Sequence, residues 1–189
     1  MNKTRVAVLI SGRGSNMMAL AEAALDPDCA YEVAIVASDK PDAPGLAWAR
    51  QNHLATFALS PKGIGKAAYE AALDAELRNA GAEVIALAGY MRLLSDEFVG
   101  RWQRRIVNIH PSLLPKYKGL DTHQRAIDAG DAVAGCSVHI VTEELDGGEV
   151  LGQAEVSIEP GDTAESLATR VLIEEHRLYP KVLSAFVRR

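Results

Sequence analysis

Cysteine is scarce in this chain: Cys29 and Cys136 stand alone, with no CxxC spacing. That excludes a disulfide framework and leaves two free, buried thiols in a reducing compartment as the expectation. Long hydrophobic runs are also missing, so no segment is expected to span a bilayer. The apolar run after the first few residues is too short for a signal sequence and leads into Gly and Arg without a small-residue cleavage site. The expected location is therefore the cytoplasm, with no membrane partner. Positive charge is in deficit, with 20 Lys and Arg against 25 Asp and Glu and a net charge of −5. Nucleic acid is not an expected partner, because its binders need a large basic footprint. The basic cluster "RWQRR" (101–105) is local and reads as a solvated face.

What is present is ordinary for a globular protein. Hydrophobic residues make up 48% and charged residues 24% of 189. The length favours one domain over residues 1–189. A chain of this size buries roughly 70% of its unfolded surface, enough for a core without covalent staples.

Short apolar strands alternate with amphipathic helices. "RVAVLI" (5–10) is nearly continuously apolar, as a strand buried on both faces should be. A helix over 16–25, a strand over 32–38, a helix over 43–52 and a weaker strand over 55–59 follow. Next come a helix rich in Ala, Leu and Glu (65–80), a strand (83–89), a short helix near 95–102 and a strand over 105–109. The alternation predicts right-handed βαβ crossovers, a mostly parallel sheet and helices on both faces. Beyond residue 133 two strands, 135–143 and 149–158, read as an antiparallel pair joined by "ELDGG". A capping box, Asp162-x-x-Glu165, is expected to open a long C-terminal helix. The predicted fold class is α/β: a doubly wound, Rossmann-like sheet with a C-terminal antiparallel extension.

Ligands in such sheets sit beyond the carboxyl ends of the strands, where three unusual stretches fall. "SGRGSN" (11–16) joins the first strand to the first helix, with Ser15 and Asn16 as candidate caps. The glycines permit close approach of a ligand, and the helix start offers free N–H groups to an anion. Met17 stands where GxGxxG needs its third glycine, and no GK[ST] ending follows. A single phosphate on a small substrate fits better than a dinucleotide. In "NIHPSLLPKYKG" (108–119), Asn108 and His110 flank Ile109; with Ile109 in the core, both point into the crevice. An amide donor and a side chain that titrates near neutrality can stabilise an oxyanion and move a proton. A strand end tidied by a hydrogen-bonded histidine is the competing reading. In "TEELDGGEV" (142–150), the glycines beside Asp146 let the backbone bend to present its carboxylate inward. A carboxylate next to histidine favours imidazolium, but spacing cannot show that Asp146 reaches His110.

Other signals are negative. "GCSVH" lacks the second glycine of a GxSxG elbow. Cys136 and His139 form a CxxH pair with no second pair at metal spacing, so no metal is expected. His53 and His123 are helix-associated packing or solvent residues, and Glu175 and His176 read by spacing as surface residues.

Taken in order, "SGRGSN", "LAGYMRLLS", "NIHPSLLPKYKG", "HQRAI" and "SVHIVTEELDGG" resemble the phosphoribosylglycinamide formyltransferases of purine synthesis along nearly the whole chain. The resemblance implies direct formyl transfer from 10-formyltetrahydrofolate, as co-substrate, to the glycinamide amine. It implies Asn108, His110 and Asp146 as catalytic residues, with Asp146 holding His110. Gly14, Ser15 and Asn16 match the substrate-phosphate loop, and Glu175 a ribose contact. Lys66, Met91, Arg92, Leu93, Leu94 and Asn108 match positions that meet folate. Two departures are visible: Lys66 stands where bacterial relatives often carry arginine, losing the bidentate fork, and Asp121 where some relatives have histidine. The implied partners are small molecules, with the protein a monomer or a homodimer.

Rival readings are a formyltetrahydrofolate hydrolase, a formyltransferase for another acceptor, and a non-catalytic phosphate-binding module. The first two carry an extra N-terminal domain or a C-terminal barrel that this sequence is not expected to have. The third would not need the Asn108, His110 and Asp146 set.

Overall fold

The computed structural model describes residues 2–189. Its elements follow the predicted alternation: β1 (Thr4–Ile10), α1 (Ser15–Ala23), β2 (Tyr31–Ser38), α2 (Pro44–Gln51), β3 (Thr56–Ala58), α3 (Lys66–Asn79) and β4 (Val84–Leu87). Then come α4 (Asp96–Arg101), β5 (Ile106–His110), α5 (Thr122–Asp128), β6 (Val133–Ile140), β7 (Val150–Ser157) and α6 (Ala164–Phe186). The strands form one seven-stranded sheet in the order β3-β2-β1-β4-β5-β6-β7. Pairing is parallel from β3 to β5; β6 runs antiparallel to β5, and β7 antiparallel to β6.

The near-continuous apolar strands are explained by helices on both faces. Val6, Val8 and Ile10 of β1 face one core with Met17 and Leu20 of α1, Leu46 of α2, and Leu167 and Val171 of α6. Ala7 and Leu9 face the other, against Tyr69, Leu73 and Leu77 of α3 and Phe98 of α4. The same period of two governs β5, where Val107 and Ile109 join the first core and Ile106 the second. The fully buried Tyr179 of α6 carries its hydroxyl to within 3.1 Å of the Leu87 carbonyl and 3.0 Å of the Val107 carbonyl. It fastens α6 beneath the strand ends that carry the site.

Two capping expectations are corrected. Helix α1 begins at Ser15, so neither Ser15 nor Asn16 caps it; its N-cap is Gly14, at φ 74, with no side-chain cap. A side chain at Gly14 would combine left-handed strain with a Cβ 3.0 Å from Met17 Cε and 3.4 Å from Gly45 Cα. Helix α6 is capped by Thr163, which accepts from the Ser166 amide while the Ser166 hydroxyl accepts from the Thr163 amide. Asp162 is drawn away by Arg170, which holds its carboxyl well below the usual carboxylate range. Helix α5 occupies a segment where the sequence pattern offered only a helix-associated His123, because its exposed face carries Gln124, Arg125 and Asp128.

Candidate active site

The carboxyl ends of β4 and β5, flanked by α1 and α6, meet around a cavity of about 970 Å³. Strand order turns back between β1 and β4, the place where open α/β sheets bind ligands. Asn108 and His110 line this cavity, as the period-two argument requires once Ile109 enters the core. His110 is 6% exposed, so its ring is in the wall and not on the surface.

The 141–149 loop brings Asp146 to the same place. Asp146 Oδ2 lies 3.5 Å from His110 Nδ1 and accepts from the Gly119 amide at 2.9 Å. The approach depends on Gly148, where a Cβ would sit 1.8 Å from the Ile140 carbonyl oxygen. At 3.5 Å, beyond an ordinary hydrogen bond, Nδ1 remains open to a ligand atom in the cavity. The opposite ring nitrogen, Nε2, is committed to the Tyr117 carbonyl at 2.9 Å.

His139 is the residue that sequence reasoning missed. It stands opposite Asn108 in the β5–β6 register. Its Nε2 lies 3.2 Å from Asn108 Nδ2, and its Nδ1 3.1 Å from the Ile140 carbonyl. The amide can only donate and the carbonyl only accept, so the proton of the neutral ring sits on Nδ1. Burial lowers the His139 pKa and keeps the ring neutral. A neutral His139 orients the Asn108 amide and leaves its second N–H for the cavity. The only signal for it was the "SVH" end of β6, which period alone could not place against Asn108.

On the α1 side, Asn16 Nδ2 donates to Glu175 Oε2 at 2.7 Å, and both residues line the cavity. Glu175 is 7% exposed, which corrects the surface reading; α6 turns it inward beside Leu167 and Val171. Burial raises its pKa. Asn16 Oδ1 is buried with no partner among the described residues, an acceptor free for a ligand's N–H or O–H. Gly14 and Ser15 lie at the start of the same helix without being part of the cavity wall.

Lys66, Met91, Arg92, Leu93 and Leu94 line the opposite side. Met91 and Leu93 are 69% and 70% exposed and, with Leu120 and Leu145, form an apolar rim. Arg92 lies over the Tyr69 ring, 5.6 Å from its centroid. Asp121, in left-handed backbone at the head of α5, lines the rim beside His123. Among the described residues no cluster of three or more His, Cys, Asp or Glu side chains is placed to hold a metal ion. No described helix is long and apolar enough to cross a membrane.

Comparison with known proteins turns this geometry into a family assignment. Residues 4–183 match the family model described as formyl transferase. The chain belongs to the formyl transferase family. This formyl transferase is 45% identical over 182 residues to the phosphoribosylglycinamide formyltransferase of Escherichia coli, covering 96% of the chain and 86% of that protein. It is 41% identical to the trifunctional purine biosynthetic protein adenosine-3 of Bos taurus, where it spans 96% of itself but only 18% of the relative. Among solved structures, the phosphoribosylglycinamide formyltransferase from Brucella melitensis superposes with a TM-score of 0.95 at 51% identity, covering 98% of this chain and 96% of that one.

Proposed function

We propose that this formyl transferase moves the formyl group of 10-formyltetrahydrofolate to the amine of 5′-phosphoribosylglycinamide, giving formylglycinamide ribonucleotide and tetrahydrofolate. The relatives named above support the substrates. The observation that carries the chemistry is the convergence of Asn108, His110 and Asp146, from β5 and a loop 36 residues beyond His110 (146 − 110), on one wall of one cavity.

The amine attacks the formyl carbon, and the formyl oxygen takes up negative charge. The free N–H of Asn108 and the Nδ1–H of protonated His110 donate to that oxyanion. Asp146, beside the same Nδ1, holds the ring toward the reaction. The amine's proton passes through water to the folate nitrogen, which leaves as the tetrahedral centre collapses. No covalent bond to the protein is required.

Asn16 and Glu175 give the ribose of the substrate an acceptor pair, and the start of α1 at Gly14 and Ser15 offers its phosphate free N–H groups. The rim of Met91, Leu93 and Leu94 suits the flat, apolar face of folate, with Arg92 and Lys66 available to its carboxylates. Lys66 supplies charge without a bidentate fork. The reading takes residues 1–189 as one formyltransferase domain, and the free thiols of Cys29 and Cys136 suit the reducing cytoplasm.

Given both substrates, the purified protein is expected to form product and tetrahydrofolate one for one, followed by mass spectrometry. Folate deformylation at the same rate without the amine acceptor would identify a hydrolase instead.

A further inference from the structure

His110 is held on two sides, and its second partner takes no part in the chemistry above. Nε2 donates to the Tyr117 carbonyl at 2.9 Å, while Nδ1 faces Asp146. Tyr117 and Asp146 both lie in left-handed backbone, at φ 55 and φ 47. A non-glycine residue keeps that conformation where its surroundings impose it, and such positions concentrate at functional sites.

What imposes it on Tyr117 is visible. Its hydroxyl donates to Asp131 Oδ2 at 2.7 Å, and Lys116 Nζ reaches the two oxygens of the same carboxylate at 3.1 and 2.9 Å. Arg125 lies over the Tyr117 ring, 5.2 Å from its centroid. The Ser112 hydroxyl lies within hydrogen-bond reach of the Lys116 carbonyl at 2.6 Å and of the Tyr117 carbonyl at 3.3 Å. Neither Tyr117 nor Asp131 lines the cavity, so contact with substrate does not account for this bracing.

We propose that Asp131 and Tyr117 are positioning residues for His110: Asp131 anchors the Tyr117 hydroxyl, and the Tyr117 carbonyl thereby fixes which ring nitrogen faces the reaction. The inference rests on the role given to His110 above. A carbonyl only accepts, so the bond requires a proton on Nε2. In the neutral ring Nδ1 is then bare, and Nδ1 is the nitrogen that faces Asp146 and the reaction. Without the anchor the ring is free to hold its proton on Nδ1, or to turn, and part of the population presents the wrong nitrogen.

Tyr117→Phe removes the anchor and keeps the ring beneath Arg125. Nitrogen NMR of the His110 ring, at a pH where it is neutral, should show the Nε2-protonated form in the parent and a mixture of tautomers in the variant. The kcat should fall about fivefold, the scale of one hydrogen bond, with KM for both substrates changed less than about twofold. Asp131→Asn should move the same two readouts in the same direction; if it fails to fold, Tyr117→Phe decides alone. An unchanged tautomer in Tyr117→Phe overturns the proposal, whether or not the melting temperature falls. His110→Ala keeps the two claims apart. If that variant stays active while the tautomer still responds to Tyr117→Phe, the positioning stands and the catalytic role of His110 does not.

Discussion

His110 and His139 lie edge to face, 6.4 Å between ring centroids, in surroundings that assign them different parts. His139 is kept neutral by burial, with its folded pKa below the ordinary 6.5. The unfolded chain therefore takes up a proton first as pH falls. The stability from the neutral ring is present above 6.5 and is lost as pH drops through that value toward the folded pKa. His123 and His176 shift the same way, also by burial. The melting temperature should fall between about pH 7.5 and about pH 5.5. His139→Gln keeps an acceptor for Asn108 and removes one titration, so its slope should be shallower; equal slopes would contradict a neutral His139. Glu175 has the opposite sign. Burial raises its pKa above 4.5, so its contribution is full below 4.5 and is lost as pH rises. Glu175→Gln should therefore melt higher than the parent at neutral pH while KM for phosphoribosylglycinamide rises; a lower neutral melting temperature would contradict this. At this scale the sequence shows Asn108 and His110 on one face, because a strand's period is local. Neither the reach of Asp146 nor the pairing of His139 is local; the first came only from the resemblance to a family, and the second depends on a register set across the 111–132 connection.

The strands were legible because burial on two faces leaves nearly unbroken apolar runs, and their bounds moved by only a few residues. The caps were less legible. Asp162 looks like a cap until Arg170, two turns into α6, competes for it. Loop shapes depend on contacts far along the chain, and two of these carry predictions. Gly148→Ala would push the 141–149 loop off the Ile140 carbonyl and carry Asp146 away from His110. Turnover should fall about a hundredfold, as a shift of about 1 Å at a reacting group does, with the circular dichroism unchanged; parental turnover would show that the loop tolerates a side chain. Ser11, at the end of β1, donates to the buried Asp39 carboxylate at 2.6 Å and accepts from the Met91 amide at 2.9 Å. Ser11→Ala leaves that carboxylate without this donor and frees the start of the apolar rim at Met91. Urea unfolding should show a loss of about 1–3 kcal/mol, with a raised KM for folate. Unchanged values of both would remove Ser11 from this role.

The whole molecule is a sheet whose turning point, between β1 and β4, opens one cavity to helices from both faces. Asn16 and Glu175 come from α1 and α6 on one side, the 91–94 stretch from beyond β4, and Asn108 and His110 from β5 between them. The two sides of the cavity thus open onto the same amide and imidazole. That architecture was legible from the alternation of strands and helices, since parallel crossovers leave few topologies. The depth of Glu175 was not, because only α6 packed against the sheet decides which of its faces is buried. The most direct test compares formyl transfer by the parent with transfer by His110→Ala and Asp146→Asn, each with a parental melting profile. Acceptor-dependent kcat should fall by about 10²- to 10⁴-fold in each, the contribution of general acid–base catalysis, with KM for both substrates nearly unchanged. Transfer at the parental rate by either variant would contradict the assignment of the Asn108, His110 and Asp146 site.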